Sequence, residues 1–188
     1  WNMVSELNIG GLNTPAIAPQ DNNTMLLGTW GLLVSTDAGK TWEMRGSGLG
    51  GRRIDLYLDP YHSSILYAED TDCGLYRSTD SGLSWELIMA NQGCGLAFDA
   101  NGTTIYRAGE DILWVSPDQG ETWEPISFTG TTSVEVNPVE GIHRINYHPT
   151  ISGKLYAVCR ASVPSCVILS TDYGQTWKKS AGINKLTD

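Results

Sequence analysis

The sequence predicts an all-β chain in which one small four-stranded antiparallel sheet is repeated four times. Three observations predict it. Four segments, residues 35–42, 78–85, 116–123 and 170–177, share the pattern Ser-x-Asp-x-Gly-x-Thr/Ser-Trp. Their serines lie 43, 38 and 54 residues apart, in or near the range expected when a small sheet recurs around an axis. Short apolar runs punctuated by Gly, Asn, Asp and Pro surround each box, and nothing reads as a helix of useful length.

Each repeat supplies four strands, A to D. Strand A is read at residues 16–19, 54–59, 96–99 and 145–148, and strand B at 25–27, 65–68, 105–108 and 155–159. Strand C follows at 32–34, 75–77, 113–115 and 167–169, directly before the box. Strand D opens on the box Trp, as in Trp42-Glu43-Met44 and Trp85-Glu86-Leu87-Ile88.

The box is the C–D turn, and each of its residue types has a local task. Gly39, Gly82, Gly120 and Gly174 permit a positive φ that a Cβ would oppose. Asp37, Asp80, Asp118 and Asp172 offer acceptors for several N–H groups of the same turn, and Ser35, Ser78, Ser116 and Ser170 add hydroxyls. Trp42, Trp85, Trp123 and Trp177 provide large apolar bodies to wedge between neighbouring sheets. A calcium loop needs several alternating carboxylates and a terminal Glu, whereas each box has one carboxylate at its Asp position, so neither metal nor cofactor is expected.

Composition narrows the function further. The 188 residues carry a formal net charge of −9, with 40% apolar and 18% charged residues. That acidity argues against non-specific binding to nucleic acid or anionic membranes, and no apolar run is long enough for membrane insertion as a helix. Four of the seven Trp belong to the boxes. Cysteine numbers four, and two pairings are favoured: Cys159–Cys166, which bracket the B–C hairpin of the fourth repeat, and Cys73–Cys94. Four buried thiols are the alternative. Oxidised pairs place the protein outside the cytosol, extracellular or periplasmic.

The four boxes in register resemble the Asp-box (BNR) repeat over nearly the whole chain. Families with that repeat include sialidases, xyloglucanase-like glycoside hydrolases, sortilin/Vps10 ectodomains and photosystem II assembly factors of the HCF136/Ycf48 type. The resemblance implies a β-propeller in which each repeat is one blade and the boxes lie opposite the usual ligand face. The blades are expected at residues 9–48, 49–91, 92–130 and 131–183, with 184–188 a tail or the start of another. Residues 1–8, beginning Trp1-Asn2-Met3, look like a D strand of a preceding or neighbouring blade. Three arrangements follow: part of a larger propeller, an array completed between copies by strand addition, or a four-blade ring.

The D–A and B–C loops share the face opposite the boxes, and that face carries the candidate chemistry. The longest of these loops precedes the fourth repeat, at residues 128–143. Glu69, Asp70, Asp72, Glu110 and Asp111 include candidates for the pair of carboxyl groups that glycoside hydrolysis requires. Asp72 is the weak catalytic candidate: residues 67–77, Tyr-Ala-Glu-Asp-Thr-Asp-Cys-Gly-Leu-Tyr-Arg, are similar to the stretch in which xyloglucanase-like enzymes carry a catalytic Asp. Those enzymes place the second carboxylate on another propeller domain. The sialidase pattern is missing its Arg-Ile-Pro motif, since Arg144-Ile145-Asn146 departs from it. Trp30 and Trp114 lie near B–C turns, where packing between blades is favoured over stacking on sugars.

The function expected on these grounds is a non-enzymatic, extracytoplasmic propeller acting as a protein-binding or assembly module. Its partner is another protein or further copies of itself, with carbohydrate a second class of ligand. Two alternatives stand beside it: a fragment of a xyloglucanase-like or sialidase-like glycoside hydrolase, and a structural protein assembling through its N-terminal strand.

Overall fold

The computed structural model describes residues 15–17, 23–49, 54–62, 64–70, 72, 74–90, 95–109, 112–127, 142–159 and 166–179. The expected N-terminal D strand at 1–8 and the tail at 184–188 lie outside them. Two compact units divide the chain, residues 1–91 and 92–188.

The first unit holds two four-stranded antiparallel sheets. One is β1 (Pro15–Ile17), β2 (Met25–Gly28), β3 (Leu32–Ser35) and β4 (Glu43–Arg45); the other is β5 (Ile54–Leu58), β6 (Leu66–Asp70), β7 (Leu75–Ser78) and β8 (Glu86–Met89). The second unit repeats the plan. Its sheets are β9 (Leu96–Phe98), β10 (Ile105–Ala108), β11 (Ile112–Ser116) and β12 (Glu124–Ser127), then β13 (Ile142–Tyr147), β14 (Leu155–Cys159), β15 (Cys166–Ser170) and β16 (Lys178–Lys179). In every sheet, spatial order equals chain order. These sheets are the blades of the predicted all-β propeller class.

Burial follows strand position. The inner strands β3, β6 and β10 are buried at every residue, whereas β4 and β8 expose much of their surface. A strand covered on both faces favours continuous apolar runs such as Leu32-Leu33-Val34. Each unit then builds its core between its two sheets. In the first, Leu26, Leu32 and Val34 meet Ile54, Leu56, Leu66 and Trp85; in the second, Tyr106, Ala108 and Leu113 meet Ile145, Leu155, Ile168 and Trp177.

Backbone hydrogen bonds fasten the paired sheets. Ile54 N–H donates to Thr29 O at 3.1 Å, and the matching bond in the second unit runs from Ile142 N–H to Gly109 O at 3.3 Å. The A–B turns are closed by side-chain acceptors in one equivalent position. Asp59 Oδ1 accepts from the N–H groups of Tyr61 and His62, and Asp99 Oδ1 from those of Asn101, Thr103 and Thr104. In the last sheet an imidazole replaces the carboxylate, His148 Nδ1 accepting from Thr150 and Ile151 N–H.

Candidate functional site

The four boxes share one network at one end of their sheets. Ser35 Oγ donates to Asp37 Oδ1 at 2.8 Å, and Gly39 N–H donates to Ser35 Oγ at 2.8 Å. Thr41 N–H reaches Asp37 Oδ1 at 2.8 Å, its hydroxyl reaches Oδ2 at 2.6 Å, and Trp42 Nε1–H donates to Gly39 O at 3.0 Å. The Ser78–Trp85 turn repeats the set, as does Ser116–Trp123. Ser170–Trp177 follows, with the Thr176 hydroxyl closely bonded to Asp172 Oδ2.

Stabilisation of the charged carboxylate is visible in its acidity. The Thr41 hydroxyl, then its N–H and the Ser35 hydroxyl, hold Asp37 at about 2, against an ordinary 3.8. Ser84 and Ser78 do the same to Asp80, also at about 2. Asp118 is lowered chiefly by Thr122. At Asp172 burial is the largest influence and raises the pKa, but the bonds from Thr176 and Ser170 together outweigh it. A hydrogen bond to the ionised form favours that form.

Two consecutive residues of each box are left-handed. Gly39, Gly82, Gly120 and Gly174 have φ of 83°, 86°, 89° and 86°, and the residues before them, Ala38, Ser81, Gln119 and Tyr173, have φ of 57° to 60°. The second set was not foreseen. Its purpose lies in the backbone: Ala38, Ser81, Gln119 and Tyr173 donate their N–H groups to Asn23, Ser64, Thr103 and Gly153 carbonyls in the A–B turns at 2.8, 3.0, 3.2 and 3.0 Å. Each box therefore ties its sheet's two turns together. The box tryptophans divide in two. Trp85 and Trp177 are buried in the cores, while Trp42 and Trp123 are only partly covered.

The opposite ends of the sheets carry the B–C turns, and these differ from one another. Asp70 is buried at the end of β6, where Oδ1 accepts from Asp72 N–H at 2.9 Å and Gly74 N–H at 2.8 Å, and Oδ2 from the Tyr76 hydroxyl at 3.1 Å. Glu69, also buried, accepts from the Tyr57 hydroxyl at 2.7 Å. Asp72 itself stands exposed at the tip of the turn. The acidic cluster thus separates by role: Asp70 organises the turn and Asp72 faces solvent. Glu110 and Asp111, the loop at 128–141, and Cys73 with Cys94 lie outside the described residues.

Trp30 corrects the expectation of blade packing, because on its B–C turn it is 62% exposed. Trp114 is half-buried on β11. Cys159 and Cys166 are direct partners in the β14–β15 ladder. Among the described residues no cluster of three or more His, Cys, Asp or Glu is placed to hold a metal, and no helix is long and apolar enough to cross a membrane.

The BNR/Asp-box repeat family model matches residues 33–44 and 168–179, two of the turns whose bonding is described above. The chain carries Asp-box repeats. It is similar to the xyloglucanase Xgh74A of Acetivibrio thermocellus, with 30% identity over 88% of this chain and 18% of that protein. Among solved structures it is similar to an ancestral GH74 enzyme, with a TM-score of 0.75 and 19% identity over 98% of this chain and 26% of that one. It is also similar to YCF48 from Cyanidioschyzon merolae, with a TM-score of 0.65 and 15% identity over 98% and 60% of the two chains. The Asp-box chain spans about a fifth of the length of the curated relatives it matches.

These relatives overturn the expected non-enzymatic binding or assembly module. The curated proteins matched along most of the chain are glycoside hydrolases. The physical reason is that the boxes build a scaffold common to enzymes and non-enzymes, so an abundance of box residues says nothing about catalysis.

Proposed function

We propose that this protein is a glycoside hydrolase of the xyloglucanase type, with Asp72 supplying one of its two reacting carboxyl groups. The similarity to xyloglucanases along most of the chain is the observation that carries this reading. The geometry of the turn supports the residue. A reacting carboxyl must meet substrate while its backbone stays fixed, and Asp72 is exposed while its N–H is held by the buried Asp70 carboxylate. Gly74 belongs to the same arrangement, since a Cβ there would lie 3.2 Å from Asp70 Oδ2. Glu69 and Asp70 are already committed to Tyr57 and to the turn, so the second carboxyl group of the pair comes from another part of the protein.

Secretion accompanies this proposal. Cys159 and Cys166 are backbone register partners in the ladder, and direct antiparallel partners have Cα atoms about 4.5–5.5 Å apart, a separation a disulfide spans.

The test is hydrolysis of xyloglucan, measured as reducing ends released by the protein and by Asp72→Asn. The expected outcome is activity in the first and a loss of about 10²–10⁴-fold in the second, the usual contribution of a positioned acid or base. No hydrolysis by the unchanged protein would overturn the enzyme reading. Undiminished activity in Asp72→Asn would remove Asp72 from the mechanism.

A further inference from the structure

We propose that His148 makes the A–B turn of the fourth sheet an acid-sensitive clasp, which opens when the imidazole gains a proton and so frees Tyr147 from the turn. The proposal is independent of the glycoside hydrolase reading. In three sheets the residue that follows strand A has the same backbone task. The N–H groups of Asp59, Asp99 and His148 donate to the carbonyls of Ile65, Thr104 and Lys154 at 3.3, 2.9 and 2.8 Å. Each residue then turns its side chain onto the N–H groups just beyond it. Asp59 and Asp99 do this with a carboxylate. His148 does it with Nδ1, which accepts from Thr150 N–H at 3.2 Å and from Ile151 N–H at 3.1 Å.

The imidazole changes what acid does to the turn. An ordinary carboxylate keeps its charge down to about pH 4, and even when protonated it retains an oxygen that accepts. Nδ1 has one lone pair. It accepts only in the neutral ring whose hydrogen is on Nε2, because the imidazolium carries N–H at both nitrogens and accepts nothing. A proton on Nδ1 therefore sets three donors against one another. Histidine changes charge between about pH 5 and 8, so these two bonds stabilise the turn above that range and are lost as pH falls through it.

The surrounding groups offer no counter-charge. The Tyr156 ring of β14 lies 6.2 Å from the imidazole, and Lys154 Nζ lies 5.3 Å from the centre of that tyrosine ring, adding a charge of the same sign. On the box, the Tyr173 hydroxyl is bonded to Ser152, and the Asp172 carboxylate is committed to Ser170 and Thr176. His62 is the opposite case, since its Nδ1 lies 3.1 Å from Asp59 Oδ1 and a proton there strengthens the contact.

Opening of the turn reaches the core. Gly153 N–H donates to the Tyr147 hydroxyl at 2.7 Å, and the Tyr147 ring stacks on Tyr106 with centroids 5.7 Å apart. Gly153 O also accepts from Tyr173 N–H of the box at 3.0 Å. The turn thus joins the box to the tyrosine pair that links β10 with β13.

The experiment follows amide hydrogen-exchange protection and the histidine ring signals by NMR from pH 8 to pH 5, in the unchanged protein and in His148→Asp. In the unchanged protein, protection at Thr150, Ile151 and Gly153 is expected to fall by about tenfold in step with the His148 ring titration, the scale of a lost backbone hydrogen bond. His148→Asp should keep its protection across the range, and the Tyr61 and His62 amides should keep theirs in both proteins. Should His148→Asp fail to fold, His148→Asn supplies an acceptor that does not titrate and takes its place. An imidazole that stays neutral down to pH 5, protection that holds while the ring titrates, or an equal fall in the substituted protein would overturn the clasp.

Discussion

The two ends of each sheet obey different rules. At the box end, four turns of different sequence make the same bonds to within a few tenths of an ångström, and each is tied by a left-handed residue to the neighbouring A–B turn. At the other end no two described B–C turns share a side-chain arrangement: one exposes Trp30, another buries Asp70 beneath an exposed Asp72. The difference teaches that repetition marks what holds the blade together, while departure from repetition marks where chemistry is placed.

Substitutions sharpen that contrast, and the core tryptophans should show it most strongly. Trp177→Ala removes a buried ring and should cost about 3–5 kcal/mol in denaturant unfolding. Trp30→Ala, on the other end, should leave stability unchanged within about 0.5 kcal/mol. Gly82→Ala comes next. It places a Cβ 2.6 Å from Leu32 Cδ2 on a backbone with φ of 86°, which should cost about 1–3 kcal/mol. An undisturbed melting curve would show that the box end is more pliant than its bonding implies.

Acid should attack the box end selectively. The Asp80 pKa is 3.8 ordinarily and about 2 in the fold, so the folded state favours the ionised form. The resulting stabilisation is complete above pH about 4 and lost as pH falls through about 2. Asp80→Asn should therefore melt several degrees below the unchanged protein at pH 7, and the gap should narrow as pH approaches 2. A constant gap across that range would contradict the assignment of charge. The smallest effect is expected at the left-handed positions: Ser81→Asn, a residue that tolerates φ near the observed 59°, should raise stability by about 0.5 kcal/mol. Ala38→Asn should repeat it.

The box residues, the four strands per repeat and the all-β class were legible because they occur four times, and each residue type has a local reason for its place. The left-handed positions were not, since Ala38, Ser81, Gln119 and Tyr173 share no side-chain chemistry and are fixed by a backbone bond alone. The imidazole at His148 hid for a similar reason, standing where the other turns have Asp59 and Asp99. Function was the least legible part. Asp70 and Asp72 look alike in sequence, and only burial separates the residue that anchors the turn from the one that meets solvent. From sequence Trp30 reads as packing, because its neighbourhood carries no sign of the exposure it has in the fold.

The central claim is that scaffold and chemistry occupy opposite ends of the sheets, and two carboxylates test it in parallel. Asp72→Asn and Asp80→Asn should be compared with the unchanged protein for xyloglucan hydrolysis below the melting range and for melting temperature at pH 7. The account predicts that Asp72→Asn abolishes hydrolysis with the melting temperature intact, while Asp80→Asn lowers the melting temperature and leaves hydrolysis in place. The reverse pattern, or the loss of both properties in both variants, would contradict it.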